Sequence, residues 1–132
     1  MHRPRAGCSA ERGSAVVDFV LVLVILVPLF LGILQVALVL HVRNTLTSAA
    51  SEGARYAATV DRPLEAGVQR TRIQIASAVA GRFAQDVSAR TVVLDGVPVV
   101  RVSVVADVPP LGLWGPAVRL VAAGHAIEEV AP

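Results

Sequence analysis

The sequence predicts an α+β fold: a long N-terminal transmembrane helix that extends into a small extracytoplasmic domain with a second helix and a short antiparallel sheet. Three observations carry that expectation. Phe19 to Leu40 contains no charged residue, and at 1.5 Å rise per residue such a run spans a hydrocarbon core of roughly 30 Å. Leu46, Ala50, Ala54 and Ala57 then recur at helical spacing, which continues the helix past the span. Further on the period becomes two: Val100, Val102, Val104, Ala106 and Val108 alternate with Val99, Arg101, Ser103, Val105 and Asp107. That alternation marks a half-buried strand.

The chain has 132 residues, of which 55% are hydrophobic. That share is above the range of an ordinary soluble domain, and the excess sits in the apolar run. The formal net charge of +2 is equally local. Arg3, Arg5 and Arg12 face only Glu11 in the first thirteen residues, and in the remainder arginines and acids balance. The folded part therefore carries no nucleic-acid footprint. A short basic segment before a membrane span marks a cytoplasmic N-terminus, so the domain is expected outside. The single cysteine, Cys8, excludes an intrachain disulfide. Ala6-Gly7-Cys8 is similar to the end of a lipoprotein cleavage box, but its apolar region would have to precede the cysteine, and here it follows.

Taken in order, residues 1–13 read as a disordered cytoplasmic leader, residues 14–42 as the transmembrane helix and residues 43–132 as the extracytoplasmic domain. The apolar run is longer than that of a cleaved secretory signal, about 7–15 residues, and no small-residue cut site follows it. Pro28 lies near its middle, with Gly32 one turn on. Proline removes the helical hydrogen bond to Val24 and favours a kink, while membrane helices also tolerate it. No Gly-Pro break precedes Asp61-Arg62-Pro63, so one rod from about Ala15 to about Thr59 is expected, with Glu52 and Arg55 as an i, i+3 pair. Pro63 opens a second helix, about Leu64 to Ala84, with Leu64, Val68, Ile75, Val79 and Phe83 on one face. Thr91 to Leu94 is β-branched and apolar, and Asp95-Gly96 is a hairpin turn signal. Pro109-Pro110 ends the next strand, a Gly/Pro loop carries the sole tryptophan, Trp114, and Val118 to Val130 forms the third strand. Trp114 is either a core cap or a partner anchor.

The chemistry-bearing segment is Glu11-Arg12-Gly13-Ser14-Ala15-Val16-Val17-Asp18-Phe19. A glycine ends the basic leader, small and apolar residues follow, and a carboxylate stands just before the span. A carboxylate in lipid is costly and seeks a partner. A cut after Gly13 would create an α-amino group at Ser14, about one helical turn from Asp18. The pair can form within one chain or between neighbours. Alternatively Asp18 marks the interfacial end of the anchor, helped by the positive end of the helix dipole.

This segment resembles the class III signal of type IV pilins and pseudopilins, which a membrane aspartyl peptidase cuts after the glycine. Arg43-Asn44-Thr45-Leu46 and Glu52-Gly53-Ala54-Arg55-Tyr56-Ala57-Ala58 extend the likeness to the TadE-like family, the minor pseudopilins of Flp/Tad pilus systems. The resemblance covers about Gly13 to Ala58. It implies peptidase cleavage between Gly13 and Ser14, an assembly carboxylate at Asp18, and family-motif positions at Asn44, Glu52, Gly53, Arg55 and Tyr56, with Asn44 in an Asn-rich turn. Asp18 stands where the family has glutamate. The implied partners are the lipid bilayer, a prepilin peptidase and other pilins or pseudopilins of the Tad system, at the bacterial cell membrane. Gly53 within a helix costs about 1 kcal/mol against alanine, which points to close approach of another helix or to a local bend.

No enzyme is expected. His2, His41 and His125 have no metal-ligand spacing, Ser9 and Ser14 have no evident base, and no phosphate-cradling loop is present. Glu128-Glu129 reads as a solvated strand end. No cofactor, metal, nucleic acid or small-molecule substrate is implied. The alternative to a pseudopilin-like assembly component is an uncleaved, single-pass membrane-anchored accessory binding module.

Overall fold

The computed structural model describes residues 10–111 and 115–129. Most of the basic leader, Cys8, and Trp114 with both of its readings lie outside the described residues. The first helix, α1, runs without interruption from Ala10 to Ala58, 49 residues, or roughly 73 Å at 1.5 Å per residue. It starts several residues before the expected Ala15. Ala10, Glu11 and Arg12 are good helix formers, and one glycine at position 13 costs about 1 kcal/mol, too little to stop a helix that is already propagating. The helix also passes through Pro28.

After α1 the chain reverses at Asp61, which has a left-handed backbone (φ 63°). Thr59 Oγ1 donates to the Tyr56 carbonyl at 2.7 Å, taking up one of the carbonyls a helix end leaves open. Pro63 then precedes α2, Leu64–Ala78. This helix stops six residues short of the expected Ala84. Val79 is extended (φ −138°, ψ −174°), and Gly81–Ala84 forms a separate 3-10 turn. The break has a packing cause. Redirecting the chain there turns Phe83 into the core, where it is 5% exposed, and aims the backbone at the sheet.

Three antiparallel strands follow in the order β1-β2-β3: β1 is Asp86–Leu94, β2 Val97–Val108 and β3 Val118–Ile127. The Asp95-Gly96 turn has φ of 51° and 82°, the two positive values that a tight hairpin between twisted strands requires. β1 begins five residues before the expected Thr91, because Asp86 to Arg90 pair with Val105 to Arg101 despite their polar composition. β3 ends at Ile127 instead of Val130. The Glu129 N–H then donates to the carbonyl of Ala58 at 2.9 Å, leaving the sheet to close the end of α1.

The expected alternation sets the inner face. Val100, Val102, Val104, Ala106 and Val108 are buried, together with Val87, Leu120 and Ala122 of the flanking strands. They pack on Val42, Leu46, Ala49, Ala50 and Ala54 of α1, and Ile75 and Phe83 complete the same core. The C-terminal half of α1 is thus the axis of the domain, with the sheet on one side and α2 on another. On the open face of the sheet Arg101 stands between Arg90 and His125, and Asp107 Oδ1 accepts from Arg119 Nε at 3.2 Å.

Candidate functional site

Apart from Asn44, which lies between them, the residues singled out in the sequence fall into two groups on α1, roughly fifty ångströms apart by helix rise. Gly13, Ser14 and Asp18 occupy its first turns and are exposed. A methyl group at Gly13 would meet nothing within 4 Å. Asp18 makes no ion pair or side-chain hydrogen bond among the described residues. From there to Leu40 the helix presents Phe19, Leu21, Ile25, Leu29, Phe30 and Ile33 outward. It is long and apolar enough to cross a membrane. A shallow apolar groove follows Pro28, Leu29, Gly32, Ile33 and Val36.

The second group, Glu52 to Tyr56, builds the crossing of α1 with α2. Gly53 faces Gly67. A methyl group at Gly53 would stand 2.7 Å from the Gly67 carbonyl oxygen and collide with the Thr71 hydroxyl. One at Gly67 would stand 2.6 Å from the Gly53 carbonyl oxygen and from the Ala57 Cβ. Close approach of another helix therefore accounts for Gly53. Thr71 is fully buried at the crossing, and its Oγ1 donates to the carbonyl of Gly67 at 2.9 Å, with the Ala49 carbonyl at 3.3 Å. A buried hydroxyl must be paired, and here it bridges both helices.

Glu52 pairs with Arg70 of α2 at 3.4 Å, not with Arg55 as the i, i+3 spacing suggests. The α2 backbone comes so close at Gly53 that the inter-helix partner is nearer to hand. Both side chains are well exposed, so the pair contributes about 0–1 kcal/mol. Tyr56 lies under the Arg62 guanidinium, 3.9 Å from the ring centroid, with Arg70 at 5.8 Å. Each such contact at an exposed site is worth about 0.5–1 kcal/mol. Arg55 is exposed. Asn44 lies within α1, inside the single rod expected from about Ala15 to about Thr59, and the Asn-rich turn implied by the family resemblance does not form there. The apolar face of Val42, Leu46 and Ala49 keeps the helix going through it. Asn44 lines a cleft of about 370 Å³ between α1 and α2 with Thr45, Ser48, Ala49, Gln74, Ser77 and Ala78.

Residues 13–55 match the TadE-like protein family. The match covers about a third of the chain, which is similar to that family over this segment. The match starts at Gly13, takes in Asp18 and the whole apolar run, and ends at Arg55, within the resemblance drawn over Gly13 to Ala58 but short of Tyr56. No curated protein matches the chain, and no solved structure does. The matched segment runs from the first group of residues into the second on one continuous helix. Among the described residues no group of three or more His, Cys, Asp or Glu side chains converges.

Four residues that carry the packing on α1 were not singled out in the sequence, and three of them, Thr71, Arg70 and Gly124, carry no signal there; the fourth is Gly67. A methyl group at Gly124 would collide with the backbone of Ala50 and Ser51, so β3 lies directly on α1. Gly67 in α2 was the one legible clue, since a glycine inside a helix calls for a packing reason.

Proposed function

We propose that this chain is a membrane-anchored, pseudopilin-like component of Flp/Tad pilus assembly or secretion, cleaved by a prepilin peptidase between Gly13 and Ser14. The observation that carries the reading is the extent of the TadE-like match, which begins at the glycine of the proposed cut. The remaining roles follow from charge and burial. The N-terminus faces the cytoplasm and the α+β domain lies outside. Asp18, exposed and unpaired within one described chain, meets the new α-amino group of Ser14 or of a neighbouring subunit once the helices gather in lipid. Its partners are the bilayer, the peptidase and other Tad-system pilins, and its role is in assembly rather than catalysis.

Mass spectrometry of the protein from cells with an active prepilin peptidase tests the reading. A chain that begins at Ser14, and a Gly13→Leu variant that keeps its leader, are the expected results. An unprocessed wild-type chain in such cells would instead leave the uncleaved accessory module standing.

A further inference from the structure

Gln35 lies inside the apolar run of α1, and a distant part of the chain takes up both ends of its side-chain amide. Its Nε2 donates to the carbonyl of Pro109 at 3.4 Å. Its Oε1 accepts from the N–H of Leu111 at 2.8 Å. Helix geometry sets the depth of this contact. Asp18 and Gln35 are separated by about 25 Å of helix, at 1.5 Å per residue. A hydrocarbon core of roughly 30 Å that begins at Asp18 ends near Leu38, beyond Gln35. The corner that follows β2 therefore meets the helix within the depth of the bilayer.

The corner suits that depth. Pro109 and Pro110 have no N–H, so Leu111 brings the only backbone donor of the three residues, and Gln35 accepts it. In lipid, backbone donors have to be satisfied within the protein. The glutamine amide would itself be costly there without partners, and the corner supplies them. The Leu111 side chain is 47% exposed with the rest of the domain in place. No charged residue occurs between Val108 and Val118. The next charges along the two strands, Asp107 and Arg119, pair with each other at 3.2 Å.

We propose that Pro109–Leu111 is a membrane foot, with the acyl-chain region of the leaflet remote from Asp18 as its binding partner and the Gln35 amide as its lock. The sheet is then seated on the bilayer as well as tethered to it. This rests on the reading of α1 as a membrane span, and the test keeps the two apart.

Full-length protein in a Cys8→Ser background is reconstituted into vesicles of phosphatidylethanolamine and phosphatidylglycerol. Single cysteines carry a nitroxide at Leu111→Cys, at Ile25→Cys in the span and at Asp95→Cys on the far hairpin. Collision of each nitroxide with oxygen, which concentrates in hydrocarbon, is compared with collision with a water-soluble nickel chelate. The position-111 probe should resemble position 25, with oxygen collision several-fold above nickel, while position 95 shows the reverse. A position-111 probe as aqueous as position 95, with position 25 still in lipid, overturns the foot alone. An aqueous position 25 overturns the span reading itself. Gln35→Leu leaves the span apolar but removes the lock, and should raise nickel access at position 111 several-fold without changing position 95. Unchanged access at position 111 in that variant overturns the role of Gln35.

Discussion

One helix, α1, lives in two environments, and its two halves obey opposite rules. From Val16 to Leu40 nearly every large apolar side chain is exposed; from Val42 to Ala58 the core residues are buried, and most of them beyond Leu46 are small. The first half needs only to be apolar all round, since lipid does not discriminate among leucine, valine and phenylalanine at one level. The second half needs shape. Leu46, Ala50 and Gly53 are set by what β3 and α2 bring to within van der Waals contact. A hydropathy pattern therefore describes the first half fully and the second only in outline.

Substitutions at matched positions can break or sharpen this contrast. The largest effect is expected at Asp18, the one charge at the head of the apolar half. If it pairs with a neighbour's α-amino group in lipid, Asp18→Asn removes one partner of a buried pair, at a cost of about 3–5 kcal/mol. Membrane levels should hold while co-purification with pilus components collapses, and Asp18→Glu should assemble. Normal assembly of the Asn variant would reduce Asp18 to an interfacial marker.

Next come two leucines on the same helix. Leu46 is fully buried and Leu29 is 58% exposed. Leu46→Ala should lower the stability of the domain by about 2–5 kcal/mol. Leu29→Ala should leave it unchanged, with denaturation in detergent as the measure. Equal losses would mean that the two halves are not separate in energy.

The glycines make a finer comparison. Gly32 has open space around it, whereas Gly53 abuts Gly67 and Thr71. Alanine gains up to about 1 kcal/mol of helix propensity at either site. At Gly53 overpacking costs about 1–3 kcal/mol against a backbone carbonyl that cannot swing aside. Gly53→Ala should therefore destabilise and Gly32→Ala should not, a difference of sign that thermal unfolding can read. The smallest effect belongs to Glu52→Gln. It removes an exposed ion pair with Arg70, and the change should stay below about 1 kcal/mol and shrink further in salt.

Much of the architecture was legible because it rests on periods. The uncharged run, the helical spacing of Leu46, Ala50, Ala54 and Ala57, and the two-residue alternation of β2 each encode one face of one element. The Asp95-Gly96 turn was legible because its backbone demands those residues. What escaped was set by partners far along the chain. The early start of β1 depends on the register with β2, not on the composition of Asp86 to Arg90. The end of α2 at Ala78 depends on where Phe83 must land. Glu52 reads as a partner for Arg55 until α2 presents Arg70. Gln35 gives no sign in the apolar run of a distant partner, and only the fold returns Pro109 and Leu111 to its side.

The stitching of β3 to α1 also has a consequence in time. The strand lies against Ala50 and Ser51 through Gly124, and the chain just beyond it is tied to Ala58 by the Glu129 N–H. Synthesis proceeds from the N-terminus at about 5–20 residues per second, so α1 is made well before the segment that covers it. α2 follows at once and covers the Ala49–Gly53–Ala57 side, but the flank at Ala50 and Ser51 waits for a strand some seventy residues later. During that interval the rod offers a bare flank to any other chain nearby. The covering of this flank is therefore completed only by β3, and the delay is written into the order of the elements.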